Sequence, residues 1–410
     1  MKPIARLALL AAVACAPANA QFFPPIDIEF GAFPVKAKLR CWYRSPQPGN
    51  PLATAYLNAE GFQLDGYWAD LSPSLTSNLF YTKQAPDEMR QACERTLANH
   101  GVTGVPVQWN AAATDLSYNH QVWHESRLSP DAPVDRIVAF GDSLSDTGNI
   151  YNDLQWKFPV AHSWFLGRFS NGPVWTEYFA QMAGKPLNNW AIGGSETRDS
   201  NVFINGLDTQ IASFRKYMSL ARGYEPSRTV FTVLAGANDF MNDRRPEIRT
   251  VTDASDRLEA ALEELVGLGA SKIVLVNLPD ISRTPAFRDD AQEALVIRAK
   301  VRLYNDSLIH IAKRIRNVKG VDIRLVDLSS LFDRLLANPG EFGIADTTHS
   351  CLDMPHDRKT DYLFGPAMTS DCDPQRYVFW DRVHPTTRVH RMIAETVFST
   401  VAEAWKLGQR

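Results

Sequence analysis

From Asp135 to the C-terminus, short, mostly apolar runs alternate with helical patterns, and this alternation constrains the fold more than any other feature of the 410-residue chain. The strand candidates are Ile137–Phe140, Asn189–Ile192, Val230–Ala235, Lys272–Asn277 and Ile323–Leu328. Runs of this kind read as strands buried on both faces. The clearest helix between them places Ile297, Val301, Tyr304, Leu308, Ile311 and Ile315 on one face, spaced alternately four and three apart. The last helix is expected after Pro385, a residue favoured at a first helical position. Strand–helix alternation predicts an α/β fold: a parallel sheet with helices on both faces.

Residues 21–134 read differently. Aromatic-rich runs such as Cys41-Trp42-Tyr43, Gly66-Tyr67-Trp68 and Leu79-Phe80-Tyr81 are punctuated by Pro, Gly and Asn. They predict a small β-rich N-terminal domain, with a helix near Asp87–Asn99 and a linker at Arg127–Asp135. Its aromatics form a domain core or a glycan- or lipid-binding face, and such residues more often serve as core. Residues 1–20 carry Lys2 and Arg6, an apolar run from Leu7 to Ala14 and then Ala18-Asn19-Ala20, the pattern of a secretory signal peptide. That run is too short to span a bilayer. The expected organisation is therefore 1–20 signal peptide, 21–134 N-terminal domain with linker, and 135–410 α/β domain, in a secreted protein.

The formal charge of −3, without any basic cluster, excludes nucleic acid as a partner. Beyond the signal, Cys41, Cys93, Cys351 and Cys372 form an even set, which in an exported chain suggests disulfides. Sequence proximity favours Cys41–Cys93 and Cys351–Cys372. No spacing of metal ligands is found: His120 and His124 lie four apart with no third ligand evident. No metal or cofactor is expected.

Four motifs carry chemistry. Gly141-Asp142-Ser143 follows the first strand of the α/β domain, Gly193-Gly194-Ser195 the second, and Gly236-Ala237-Asn238-Asp239 the third; Asp381-Arg382-Val383-His384 precedes the last helix. Acyl transfer through serine needs a hydroxyl, a base, a group to orient the base, and donors for the oxyanion. Ser143 supplies the hydroxyl, His384 the base and Asp381 the orienting carboxylate. The backbone N–H groups of Ser143 and Gly194 and the Asn238 amide supply the donors. Singly, each motif has a bland reading: a helix cap, a turn or a surface pair. All four in this order on one sheet are much harder to obtain by accident.

The GDSLSDTGN, NWAIGGS, GANDF and DRVHP segments resemble the four blocks of the GDSL, or SGNH, hydrolases. The run from Asn149 to Tyr178, with RCWYR at Arg40–Arg44 and SYNH at Ser117–His120, resembles a narrower group of bacterial secreted phospholipases and glycerophospholipid:cholesterol acyltransferases, among them the thermolabile, lecithin-dependent haemolysins. The resemblance implies a three-layer, flavodoxin-like αβα sandwich. It also implies that Ser143, Gly194, Asn238, Asp381 and His384 are catalytic, that a phospholipid or other lipid ester is the substrate, and that cholesterol is an acyl acceptor beside water. The aromatics Trp156, Phe158, Trp164 and Phe165, in the long loop after Ser143, are expected to wall an acyl-chain groove. Two rivals stand: an esterase removing acetyl groups from glycans, and a membrane- or host-binding module with a vestigial hydrolase domain.

Overall fold

In the computed structural model, residues 35–408 are described apart from 70–78, 116, 127–130, 200–203, 244 and 355–360. The expected signal peptide, residues 1–20, lies outside the described residues.

Among the described residues, ten strands build two five-stranded sheets, each covered by helices. The N-terminal sheet contains β1 (Val35–Arg44), β2 (Thr54–Ala69), β3 (Leu79–Thr82), β4 (Gln108–Ala112) and β5 (Gln121–His124), in the order β4-β1-β2-β3-β5. Helix α1 (Pro86–Asn99) packs on β1 and β2, and the Cys41–Cys93 disulfide ties it to β1. Leu39, Cys41, Leu64, Phe80, Met89 and Cys93 form the core between them.

The second sheet contains β6 (Arg136–Gly141), β7 (Leu187–Asn189), β8 (Thr229–Leu234), β9 (Lys272–Val276) and β10 (Asp322–Val326), in the order β10-β9-β8-β6-β7. Every adjacent pair is parallel. Both β6 and β8 are buried along their whole length, as expected of strands covered on two faces. Strand β7 stops at Asn189 rather than continuing to Ile192. The Asn189 side-chain oxygen accepts from Ala191 N (2.7 Å) and bends the chain, although Trp190 N and Ile192 N still donate to Ala139 O and Gly141 O.

Helices α2 (Asn149–Asp153) and α3 (Trp175–Ala183) lead from β6 outward to β7. The chain then returns past β6 through α4 (Leu207–Met218) to β8. Helices α5 (Ala237–Asn242) and α6 (Arg249–Gly267) lead on to β9, and α7 (Ala291–Lys319) to β10. Right-handed crossovers in opposite directions put α3 on one face and α4, α6 and α7 on the other. Accordingly α6 packs on α4 and α7. After β10 come α8 (Leu328–Ala337), β11 (Asp346–Ser350), α9 (Asp361–Phe364) and β12 (Tyr377–Phe379). The closing helix, α10 (Thr387–Val401), packs on α3 and completes the three layers. The direction of travel reverses between β6 and β8. Open α/β sheets bind ligands at such a point, beyond the carboxyl ends of the strands.

Candidate active site

Ser143 leaves β6 at this reversal. Gly141 turns the chain there with φ of 142°, and a side chain at this position would strike Leu234 O of β8. Gln210 of α4 braces the turn: Gly141 N donates to its oxygen (2.9 Å), while its amide donates to Gly141 O and Ser195 Oγ (both 2.9 Å). Nothing in the sequence pattern marks Gln210, which reads as an ordinary helix residue.

His384 arrives from the opposite end of the chain. Between β12 and α10, Trp380 N donates to His384 O (2.8 Å) and closes a tight loop. Inside it, Asp381 Oδ1 accepts from the backbone N–H of Val383 (2.9 Å) and His384 (2.7 Å). Both carboxylate oxygens face His384 Nδ1, at 2.9 and 2.8 Å. An accept-only carboxylate keeps the proton on Nδ1, leaving Nε2 to accept from Ser143 Oγ–H at 2.7 Å. Asp381 is fully buried. Burial alone would raise its carboxyl, but the facing imidazole and the donated hydrogen bonds outweigh that and hold it below the ordinary carboxylate range.

The two residues expected from the sequence to donate to an oxyanion lie on the loops that follow β7 and β8. Gly194 has φ of +83°, a left-handed conformation that favours glycine. Asn238, the second residue of α5, donates one amide hydrogen to Ser195 O (2.9 Å), which fixes the side chain and leaves its second N–H available. Two buried carboxylates not singled out from the sequence fix these loops. Asp146 accepts from the N–H groups of Gly148, Asn149, Ile150 and Gly193. Asp239 accepts from Thr197 N (2.9 Å) and Oγ1 (2.7 Å). Burial pushes both carboxyls up to about 6. The signal available was their position beside Ser143 and Asn238, but composition does not reveal burial.

The aromatic loop requires correction. Trp164 is fully buried, and its indole N–H donates to Asp381 Oδ2 at 3.0 Å. Phe165 is also buried, in a cluster with Trp42, Tyr151 and Leu166. Trp156 packs edge-on against Trp42 (5.8 Å) and Tyr118 (6.2 Å), so it docks the loop on the N-terminal sheet. Phe158 is half-buried against Phe169 and Tyr362, whose rings in turn face His384. Tyr362, missed in the sequence, stacks on Trp164 (4.7 Å) and places its hydroxyl 3.4 Å from His384 Nδ1. A crevice opening beside Ser143 and His384 is lined instead by Leu144, Met241, Ile281, Phe332, Leu336 and Ile393.

Replacing Trp164 by Phe keeps the ring and removes the N–H. The expected result is a fall in kcat of about 10-fold, from one lost hydrogen bond to a charged group, with an unchanged preference for acyl length. Steady-state kinetics on acetyl and octanoyl p-nitrophenyl esters checks both parts.

Residues 137–397 match the GDSL-like Lipase/Acylhydrolase family, and residues 30–125 match the N-terminal domain of the Vibrio dual lipase/transferase. The chain is 39% identical over 376 residues to the thermolabile hemolysin of Vibrio parahaemolyticus, covering 88% of this chain and 87% of that protein. It is 30% identical over 305 residues to the phosphatidylcholine-sterol acyltransferase of Aeromonas hydrophila, covering 63% and 88%. It is 27% identical over 290 residues to the secreted effector protein SseJ of Salmonella typhimurium, covering 66% and 64%.

Proposed function

The chain belongs to the GDSL-like lipase/acylhydrolase family, and from that premise we propose that it cleaves the acyl esters of glycerophospholipids through Ser143, His384 and Asp381. One observation carries the assignment: the unbroken chain of short contacts from Ser143 Oγ through His384 to a fully buried Asp381.

In this mechanism His384 Nε2 takes the Ser143 proton as Oγ attacks the ester carbonyl carbon, and Asp381 stabilises the imidazolium. The backbone N–H groups of Ser143 and Gly194 and the second amide N–H of Asn238 receive the oxyanion. As the tetrahedral intermediate collapses, His384 protonates the departing alcohol and the acyl group remains on Ser143. Water, or the hydroxyl of a sterol, then attacks the acyl-enzyme by the reverse of these steps. Similarity to a phosphatidylcholine-sterol acyltransferase supports phosphatidylcholine as donor and cholesterol as a second acceptor. Two disulfides fit the oxidising surroundings of a secreted protein, and no helix among the described residues is long and apolar enough to cross a membrane. Residues 135–410 hold every member of the site, which supports a catalytic domain beginning there, after an N-terminal domain at 21–134.

The crevice of Leu144, Met241, Ile281, Phe332, Leu336 and Ile393 is the acyl-binding surface in this reading. If four methylenes are buried at about 0.8 kcal/mol each, kcat/KM rises about 200-fold from acetyl to octanoyl p-nitrophenyl esters. Leu336→Trp fills the crevice, flattens that rise and leaves acetyl ester turnover within about threefold of wild type. A profile that peaks at acetyl would support the glycan esterase instead.

A further inference from the structure

Beside the site, six consecutive residues carry no charge: Leu363-Phe364-Gly365-Pro366-Ala367-Met368. Phe364 is 80% exposed, Met368 43% and Leu363 39%. Large apolar side chains exposed singly are ordinary, but three on one short segment form a patch. The segment is also held in place. Val160 N donates to Tyr362 O (2.9 Å), Ser163 Oγ to Pro366 O (2.6 Å) and Asp353 N to Ala367 O (2.9 Å). Thr369 N donates to Cys351 O (2.8 Å), and the Cys351–Cys372 disulfide closes the loop around the segment. Phe364 is therefore presented to solvent by a fixed backbone. Just before the patch, Tyr362 turns inward onto Trp164 and His384, so the exposed segment adjoins the catalytic histidine.

We propose that Leu363, Phe364 and Met368 form a docking knuckle that inserts into the apolar edge of an uncharged or zwitterionic lipid surface and brings the Ser143 site onto its substrate. This inference rests on the lipid-ester reading above. Continuity with the site commits the patch to the substrate's own surface. The lack of charge within it points to insertion of apolar side chains rather than attraction to anionic headgroups.

The test uses vesicles of ether-linked phosphatidylcholine, which contain no ester to cleave. The double variant Leu363→Ser/Phe364→Ser is expected to partition onto them about 100-fold more weakly than wild type. Its kcat/KM on p-nitrophenyl acetate and on monomeric dihexanoyl phosphatidylcholine should be unchanged, which also verifies folding. Phe364→Leu should retain binding, and raising the salt concentration should not weaken it. Wild-type partitioning by the double variant, or salt-sensitive binding that ignores these substitutions, would overturn the proposal. So would a concentration-dependent dimer that the double variant loses, since the patch would then be covered by a second copy of the chain. If wild type binds the vesicles but cleaves no phosphatidylcholine, the lipid-ester reading fails while the docking surface stands.

Discussion

Ser143→Ala and His384→Ala are each expected to lower kcat on a short p-nitrophenyl ester by about 10⁶-fold, the scale seen when a serine hydrolase loses its nucleophile or base. The double variant should be no worse than either single one, because the two groups act in one step: Oγ attacks only as Nε2 takes its proton across 2.7 Å. The residual rate should exceed the reaction in water, since the donors at Ser143, Gly194 and Asn238 remain. Circular dichroism and thermal melting should report a folded protein for both, with the lower melting temperature in His384→Ala, which leaves the buried Asp381 carboxylate without its imidazole partner. Near-normal turnover by Ser143→Ala would refute the assignment of the nucleophile.

Asp381→Asn is expected to cost about 10⁴-fold in kcat, as losing the orienting carboxylate does in other triads. Here the neighbours make the reason specific. The carboxylate accepts from four donors: the backbone N–H of Val383 and His384, the indole of Trp164, and Nδ1–H of His384. An amide has only one oxygen. If that oxygen stays with the backbone donors, the new NH₂ faces both the Trp164 N–H and the imidazole, so Nδ1 must act as acceptor. The ring then carries its proton on Nε2, where it cannot take the one from Ser143. The accompanying signature should be a changed histidine tautomer by nitrogen-15 NMR in a folded protein. A variant that keeps the wild-type tautomer and rate would remove Asp381 from the mechanism.

Much of this was legible from residue order alone. The strand at Ile137–Phe140, the long helix through Ile297 to Ile315 and the helix after Pro385 rest on local periodicity, which burial imposes on any chain that forms them. The observed elements, Arg136–Gly141, Ala291–Lys319 and Thr387–Val401, fall where the pattern puts them. In a parallel sheet all carboxyl ends lie on one side, so motifs that each follow a strand are brought to one edge by topology. For that reason residue order alone groups Ser143, Gly194 and Asn238, and spacing groups Asp381 with His384. The disulfide partners, Cys41 with Cys93 and Cys351 with Cys372, also followed from proximity along the chain.

The long loop after Ser143 was not legible in this way, because it has no period to say which side of each aromatic faces inward. Trp164 lies 217 residues from Asp381, and only the packed structure turns its indole onto that carboxylate rather than toward a substrate. Trp156 and Phe165 were likewise claimed by the N-terminal sheet and by the cluster around Trp42, contacts between segments that share no local pattern. The apolar crevice beside Ser143 draws Met241, Ile281, Phe332 and Ile393 from four separate stretches of chain. The burial that raises Asp146 and Asp239 is also a property of the assembled interior. Local sequence thus determined the elements and which motifs the sheet brings to one edge, since both depend on neighbours along the chain. What surrounds those motifs, and which side chains line the crevice beside Ser143, was decided by tertiary packing, because it depends on residues that become neighbours only in space.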